Sequence, residues 1–397
     1  MVSAICLTAY LAVTIFSGLV VSHPGESDTK VKRELKALRT SLPVARRAIN
    51  SCATAPGTTA LKARSITRRA TAAEKLRKER GITSHSIKSK RGLPGFNKWA
   101  GVDHDVSSLG FGLDTPLGTI FDSNSTCALV PESDLGPYFV GGELIRSDVT
   151  DDEPGVPLHL DLQFIDVETC EPIPASTLVD IWACNSTGVY SGITSGHQGG
   201  LNTTYLRGVQ STDEDGTVQF DTIFPGHYPG RATHIHLLIT HNATLLPNKT
   251  YVTTSGTPSH IGQLFFDQDL ISEVEALAPY NTNKVAITPN AKDFINVAGA
   301  TVDYDPFVDY VRLGESLEDG LLAFITVFVN TAANVTAARR PAAQYYEGGG
   351  VPLSPGFNFT LPPGFNGTFP PPPGSPFPSG PPSIRGGLRR WLQRRGL

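Results

Sequence analysis

Pro225-Gly-His-Tyr-Pro-Gly-Arg-Ala-Thr-His-Ile-His-Leu237 is the stretch that decides how this chain is read. It places Tyr228, Arg231, His234 and His236 within nine residues. From Thr233 to Thr240 the pattern alternates polar and apolar and then turns β-branched, which predicts a strand. On a strand, residues i and i+2 share a face, so both imidazoles point one way while Ile235 packs behind them. Pro229-Gly230 is a turn that can bring the Tyr228 phenol over the same face. Two converging imidazoles begin a transition-metal site. Taken alone, H-x-H is equally compatible with an exposed strand carrying two histidines.

Working outward, the composition predicts a β-rich body. Short apolar or alternating runs recur at Leu158–Ile165, Leu178–Cys184, Thr217–Ile223, Thr233–Thr240, Gln263–Phe266 and Leu321–Val329, separated by Gly, Pro, Asn and Asp. This spacing predicts an all-β sandwich or barrel. Asp213-Glu-Asp-Gly216 reads as a hairpin turn, and Leu270–Leu277 as one short helix. Ahead of the body, residues 28–91 read as helix, with strong helix-forming runs at Lys30–Arg39 and Ala72–Arg80 broken by Pro43 and Pro56-Gly57. Beyond Val335 the sequence becomes Pro- and Gly-rich, which predicts an extended or disordered tail. The expected segments are 1–22, 23–98 (a basic helical segment, with Lys90-Arg91 offering a processing site), a β-sandwich over 99–338, and a low-complexity tail over 339–397.

Charge is strongly segregated along this plan. Residues 27–91 carry 18 Lys/Arg against 4 Asp/Glu, and residues 92–338 carry 8 against 31. No nucleic-acid motif accompanies the basic segment, so docking on the acidic body of the same chain is the expected arrangement.

The N-terminus points to export. Ala4–Val21 is apolar and uncharged and ends in the small residues Val20-Val-Ser22, as in a cleavable signal peptide, after which no membrane insertion is expected. Eight N-x-S/T sequons, at Asn124, Asn185, Asn202, Asn242, Asn248, Asn334, Asn358 and Asn366, suit a secreted glycoprotein. Past Cys6, the four cysteines Cys52, Cys127, Cys170 and Cys184 predict two disulfides. Cys170–Cys184 and Cys52–Cys127 are the favoured pairs, since the first two lie at facing ends of successive strand-like runs.

A second tyrosine, Tyr190, lies in the Gly-flanked loop Asn185-Ser-Thr-Gly-Val-Tyr-Ser-Gly192, where its phenol is expected to project. Two phenols and two imidazoles are a donor set suited to Fe(III) rather than zinc or copper. With this set in hand, a family resemblance becomes specific. Gly188-Val-Tyr-Ser191, Gly226–His236 and Gly262-Gln-Leu-Phe-Phe-Asp267 resemble the intradiol ring-cleavage dioxygenases, closest to the secreted fungal branch. Gly136-Pro-Tyr-Phe-Val140, Gly155-Val-Pro-Leu158 and Asp166–Pro172 fit the same pattern in order, so that the resemblance covers roughly residues 130–330.

The resemblance implies a β-sandwich holding non-haem Fe(III) that opens catechol-type rings between the two hydroxyls with O2, giving cis,cis-muconate-type diacids. By position, Tyr190, Tyr228, His234 and His236 match the iron ligands. Tyr228 matches a tyrosine that leaves the iron on substrate binding and helps take up a catechol proton. Arg231 matches a pocket arginine that stabilises developing negative charge. Gln263 matches a polar residue on the oxygen and substrate side, and Tyr138 an aromatic at the mouth that contacts substrate. Trp182 is expected in the core beside the site. The implied partners are a catecholic substrate and O2. A homodimer, and cell-wall contact through the tail, are compatible with the sequence. The competing reading is a non-catalytic secreted β-sandwich module that binds phenolics or cell-wall glycans.

Overall fold

The computed structural model describes residues 52, 55–82, 102–109, 127–128, 135–194, 198–300, 305–346 and 349–353. The expected signal peptide, the Lys30–Arg39 run, Lys90-Arg91 and, of the Pro/Gly-rich tail, residues 347–348 and 354–397 lie outside these residues.

Two sheets face each other across the main core. The first runs in the order β1 (Cys127–Ala128), β10 (Leu321–Val329), β3 (Pro157–Asp166) and β6 (Thr217–Ile223), and β9 (Asp309–Arg312) also pairs with β10. The second runs β5 (Arg207–Ser211), β4 (Leu178–Trp182), β7 (His234–His241) and β8 (Thr257–Phe265), with antiparallel neighbours throughout. Inward-facing Leu160, Leu162 and Phe164 of β3 and Ala323, Ile325 and Val327 of β10 meet Ile235, Leu237 and Ile239 of β7.

Alternation fixes the register of β7. Burying each large apolar side chain contributes about 1.5–3 kcal/mol. A slip of one residue would turn Ile235, Leu237 and Ile239 out of the core and put His234 and His236 into it. The imidazoles are therefore held on the opposite face of the second sheet, as the sequence pattern predicts.

That face has its own cover. β2 (Val140–Gly141) pairs with β11 (Ala343–Tyr346), which forms a hairpin with β12 (Gly349–Pro352). Phe139, Val140 and Ala343 close over Trp182, Tyr190 and Tyr228 in a second apolar cluster. Strand pairing thus continues past residue 338.

The basic segment docks on the first sheet. Helix α1 (Pro56–Glu79) begins with its proline in the first turn, where a missing N–H costs nothing. Ala70, Ala73 and Leu76 recur every three residues and pack on Val311, Leu313, Leu322 and Phe324. Arg68 and Arg69 both bond the buried carboxylate of Asp161 on β3, with nearest distances of 2.8 and 2.9 Å, and Arg64 pairs with Asp215. These ion pairs join the basic helix to acidic residues of the first sheet and of the turn before β6.

Two local expectations are corrected. Cys52 bonds Cys170, tying the start of the helical segment to the loop after β3, while Cys184 is a buried free thiol at the end of β4. Spacing along the chain carries no information on which cysteines meet, so the favoured Cys170–Cys184 pair fails. Asp213–Gly216 is a turn, with Gly216 N–H donating to Asp213 O and Gly216 at φ 67°. It links β5 to β6, which lie in different sheets, so it is a crossover rather than a hairpin. The expected short helix is α2 (Gln268–Glu275), and a third helix, α3 (Phe294–Gly299), was not anticipated.

Candidate metal centre

Trp182, His236 and Gln263 form one row across β4, β7 and β8, each in register with the next. The Trp182 indole stacks on the His236 ring at 4.8 Å and 4° between planes, which fixes that imidazole's orientation. His234 lies two residues away on the same face, and the two Nε2 atoms stand 3.0 Å apart. His234 Nδ1–H donates to the Ala232 carbonyl at 2.6 Å. A carbonyl can only accept, so the proton sits on Nδ1 and the Nε2 lone pair is directed at His236. Metal-binding imidazoles are commonly oriented by such a bond.

Both tyrosines converge on this pair. The turn Tyr228–Arg231 brings the Tyr228 hydroxyl to 3.2 Å from His234 Nε2. Tyr190 arrives on the turn after β4, which approaches so closely that a Cβ at Gly188 would lie 2.2 Å from the His227 carbonyl oxygen; Gly188 has φ 83°. The loop does not leave Tyr190 projecting, as its Gly-flanked sequence suggested. Its ring is fully buried, stacked on Tyr138 at 4.6 Å and edge-on to Tyr228 at 5.5 Å.

The Tyr190 hydroxyl is buried and makes no well-formed hydrogen bond among the described residues; the Tyr228 phenol is the polar group that faces it. Leaving such a group unsatisfied costs about 1–3 kcal/mol, so its retention calls for a reason. Burial, and then the facing phenol, push the Tyr190 pKa up, and burial likewise raises that of Tyr228. Ionising either phenol here requires a strong positive charge alongside. The donor set fits an Fe(III) ion in this respect: one imidazole presents its Nε2 lone pair, a second imidazole and the Tyr228 phenol stand within 3.2 Å of that nitrogen, and a further buried phenol lies beside them. Among the described residues no three His, Cys, Asp or Glu side chains gather as a metal-holding group.

Arg231 is fully buried beside the tyrosines. Its Nε donates to Asp293 Oδ2 at 2.8 Å, and one Nη donates to Gln263 Oε1. Burial opposes the guanidinium charge, but Asp293 and the two phenols outweigh it and the pKa is raised. In return the Arg231 charge acts to lower the pKa of both Tyr190 and Tyr228. Tyr138, 8% exposed, lies against both phenols, and burial pushes its own hydroxyl up to about 12. All seven residues singled out in the sequence are therefore gathered at one place.

Asp293 was missed. Its Oδ2 accepts from Arg231 Nε and from the Ala232 N–H, while Oδ1 caps α3 by accepting from Ile295 N and Asn296 N. An Asp directly before the apolar run Phe294-Ile295 is the one sequence signal that could have marked it, as a helix N-cap. Two of the additional histidines are engaged elsewhere. His159 bonds Asp221, and His227 bonds Glu275 and the Val285 carbonyl. His260 is buried on β8, and His197 lies outside the described residues.

Comparison with known proteins gives the same picture. The family model described as Dioxygenase matches residues 136–305, a span that contains every residue of the centre. An intradiol ring-cleavage dioxygenase from Tetranychus urticae is 31% identical over 53% of this chain and 98% of that one, with a TM-score of 0.44. The chain belongs to the intradiol ring-cleavage dioxygenase family. Similarity extends to two further dioxygenase structures. The dioxygenase domain of a dioxygenase carbohydrate-binding protein fusion from Streptomyces sp. SirexAA-E is 24% identical, over 51% of this chain and 99% of that one, at a TM-score of 0.31. Catechol 1,2-dioxygenase from Acinetobacter sp. ADP1 is 18% identical, over 53% of this chain and 65% of that one, at 0.32. No match was found among curated proteins.

Proposed function

We propose that this intradiol family member is a secreted non-haem Fe(III) dioxygenase that uses O2 to cleave catechol-type rings between the two hydroxyls, giving cis,cis-muconate-type diacids. The observation that carries the reading is the convergence of Tyr190, Tyr228, His234 and His236, with one imidazole tautomer fixed and one buried phenol unsatisfied. These four residues would hold the iron. Bound there, Fe(III) supplies a Lewis acid and template for a chelated catechol.

The remaining chemistry belongs to the chain. Tyr228 takes up a catechol proton at its phenolate oxygen as substrate binds. Arg231 keeps a fixed positive charge where negative charge develops on the ring, and Asp293 and Gln263 hold its guanidinium in place. Tyr138 contacts the substrate, and the apolar cover built on Phe139, Val140 and Ala343 excludes water. A non-catalytic binding module would have no use for an unsatisfied phenol beside two imidazoles. Export is supported by the Ala4–Val21 run, the sequons and the Cys52–Cys170 disulfide; among the described residues no helix is long and apolar enough to cross a membrane. Oxygen uptake by the iron-loaded protein over a panel of catechols tests the reading. Stoichiometric O2 consumption with diacid formation is expected for at least one catechol, and iron-loaded protein inert to the whole panel would refute it.

A further inference from the structure

Five sequons fall within the described residues, at Asn185, Asn202, Asn242, Asn248 and Asn334. An N-glycan replaces one of the two hydrogens on the carboxamide Nδ2, so the room beside that nitrogen bears on whether the folded chain can carry it.

At Asn185 the nitrogen is engaged. Nδ2 donates to Glu153 Oε2 at 2.9 Å, while Oδ1 accepts from Thr187 N, Thr187 Oγ1 and Val189 N at 3.1, 3.0 and 3.0 Å. Ser186 Oγ also donates to the Pro154 carbonyl at 2.9 Å, pressing this turn on the 153–154 loop. The turn carries Tyr190. A sugar on the remaining Nδ2 hydrogen would crowd the turn where Glu153 and the Pro154 carbonyl hold it, next to the Tyr190 that the proposed metal centre uses.

The other four asparagines are exposed. At Asn248 and Asn334 it is the oxygen that is used, accepting from Thr250 Oγ1 at 2.8 Å and from Thr336 N at 3.0 Å. Asn242 opens the loop between β7 and β8, and Asn248 lies in the same loop. Between them Leu245 and Leu246 are 51% and 38% exposed. Asn334 stands beside this loop, because Val335 N–H donates to Pro258 O at 2.8 Å and Arg339 Nη1 to Ser255 O at 3.3 Å. From His234 to Asn242 the rise of β7 is about 26 Å, so glycans here clear the metal centre.

We propose that the folded protein carries N-glycans at Asn202, Asn242, Asn248 and Asn334 and none at Asn185, with Asn242 and Asn248 flanking the exposed Leu245–Leu246 tip. The proposal rests on export of the chain. The test is expression of the full chain in a secretory eukaryotic host, once with its own N-terminus and once behind a heterologous signal peptide. Protein from the medium is then deglycosylated with an amidase in 18O-water and mapped by peptide mass spectrometry. Label at those four asparagines and not at Asn185 is expected, and Thr187→Ala, which deletes the Asn185 sequon, leaves the glycan mass unchanged. Label at Asn185, loss of one glycan mass in Thr187→Ala, or absence of label from any of the other four overturns it. Protein that reaches the medium only behind the heterologous leader would refute native export and leave the glycan map to be judged by itself.

Discussion

Arg231 and Asp293 form an ion pair with both side chains fully buried, at 2.8 Å between Nε and Oδ2. The same oxygen accepts the Ala232 N–H, and the Ala232 carbonyl in turn orients His234 through Nδ1. One carboxylate therefore anchors the cation beside the phenols and, through one residue of backbone, the first imidazole.

Asp293→Asn keeps the shape of that side chain and removes its charge. Breaking a buried pair on one side leaves an uncompensated guanidinium, which costs about 3–5 kcal/mol. Urea unfolding should show a loss of that size. Oxygen uptake should fall about 10²-fold as Arg231 leaves the place where charge develops. An unchanged urea midpoint would mean that the pair is not what holds Arg231.

Tyr190→Phe separates a ligand from a structural tyrosine. A tyrosine kept for packing alone would lose nothing when its unsatisfied hydroxyl is removed, and the iron-free variant should be as stable as the parent or more so, by about 1–3 kcal/mol. Iron retention on gel filtration should nevertheless drop sharply. A variant that is destabilised yet binds iron as before would place the hydroxyl in the fold rather than in the metal set.

His104 predicts an alkaline weakness. Its ring is buried between Asp267, at 2.6 Å from Nδ1, and Asp305, at 2.9 Å from Nε2. Burial opposes its charge, but the two carboxylates outweigh it and hold the pKa well above the usual value. A folded pKa raised above the unfolded value of about 6.5 gives stability that is complete below that pH and lost as pH rises through the folded value. Denaturant midpoints measured upward from pH 6 should fall, and His104→Gln should flatten the dependence. A parent midpoint that does not change over that range would contradict a charged His104.

The N-terminal helix is held by a buried carboxylate and a disulfide. Arg68 and Arg69 keep the Asp161 pKa well below the usual range, in spite of burial. The stability it contributes is present above about pH 4 and fades as pH falls below that. Asp161→Ala should therefore cost about 3–5 kcal/mol at neutral pH and blunt the acid sensitivity. Reduction of Cys52–Cys170, which are 118 residues apart, should cost about 2–5 kcal/mol in thermal unfolding. If neither change lowers stability, α1 does not contribute to holding the sandwich together.

Legibility followed the range of each interaction. β7 and β10 could be read because alternation and apolar runs are local properties, and the structure returns β10 at the expected Leu321–Val329. Tyr190, Tyr228, His234, His236, Arg231 and Gln263 could be found because each sits in a short motif with a family likeness. Asp293 could not, since it stands 57 residues beyond His236 in a polar loop and acts only through contacts made in three dimensions. Cys184 was misread for the same reason: the end of β4 points it at the aromatic cluster around Tyr190, away from Cys170.

The most direct test of the metal assignment is the visible absorption of the purified chain loaded with Fe(III). Two tyrosinates on the ion should give a broad phenolate-to-metal charge-transfer band and a reddish protein, with the band weakened in Tyr228→Phe. Iron-loaded protein that is colourless, or a Tyr228→Phe spectrum identical to the parent's, would contradict the four-ligand centre.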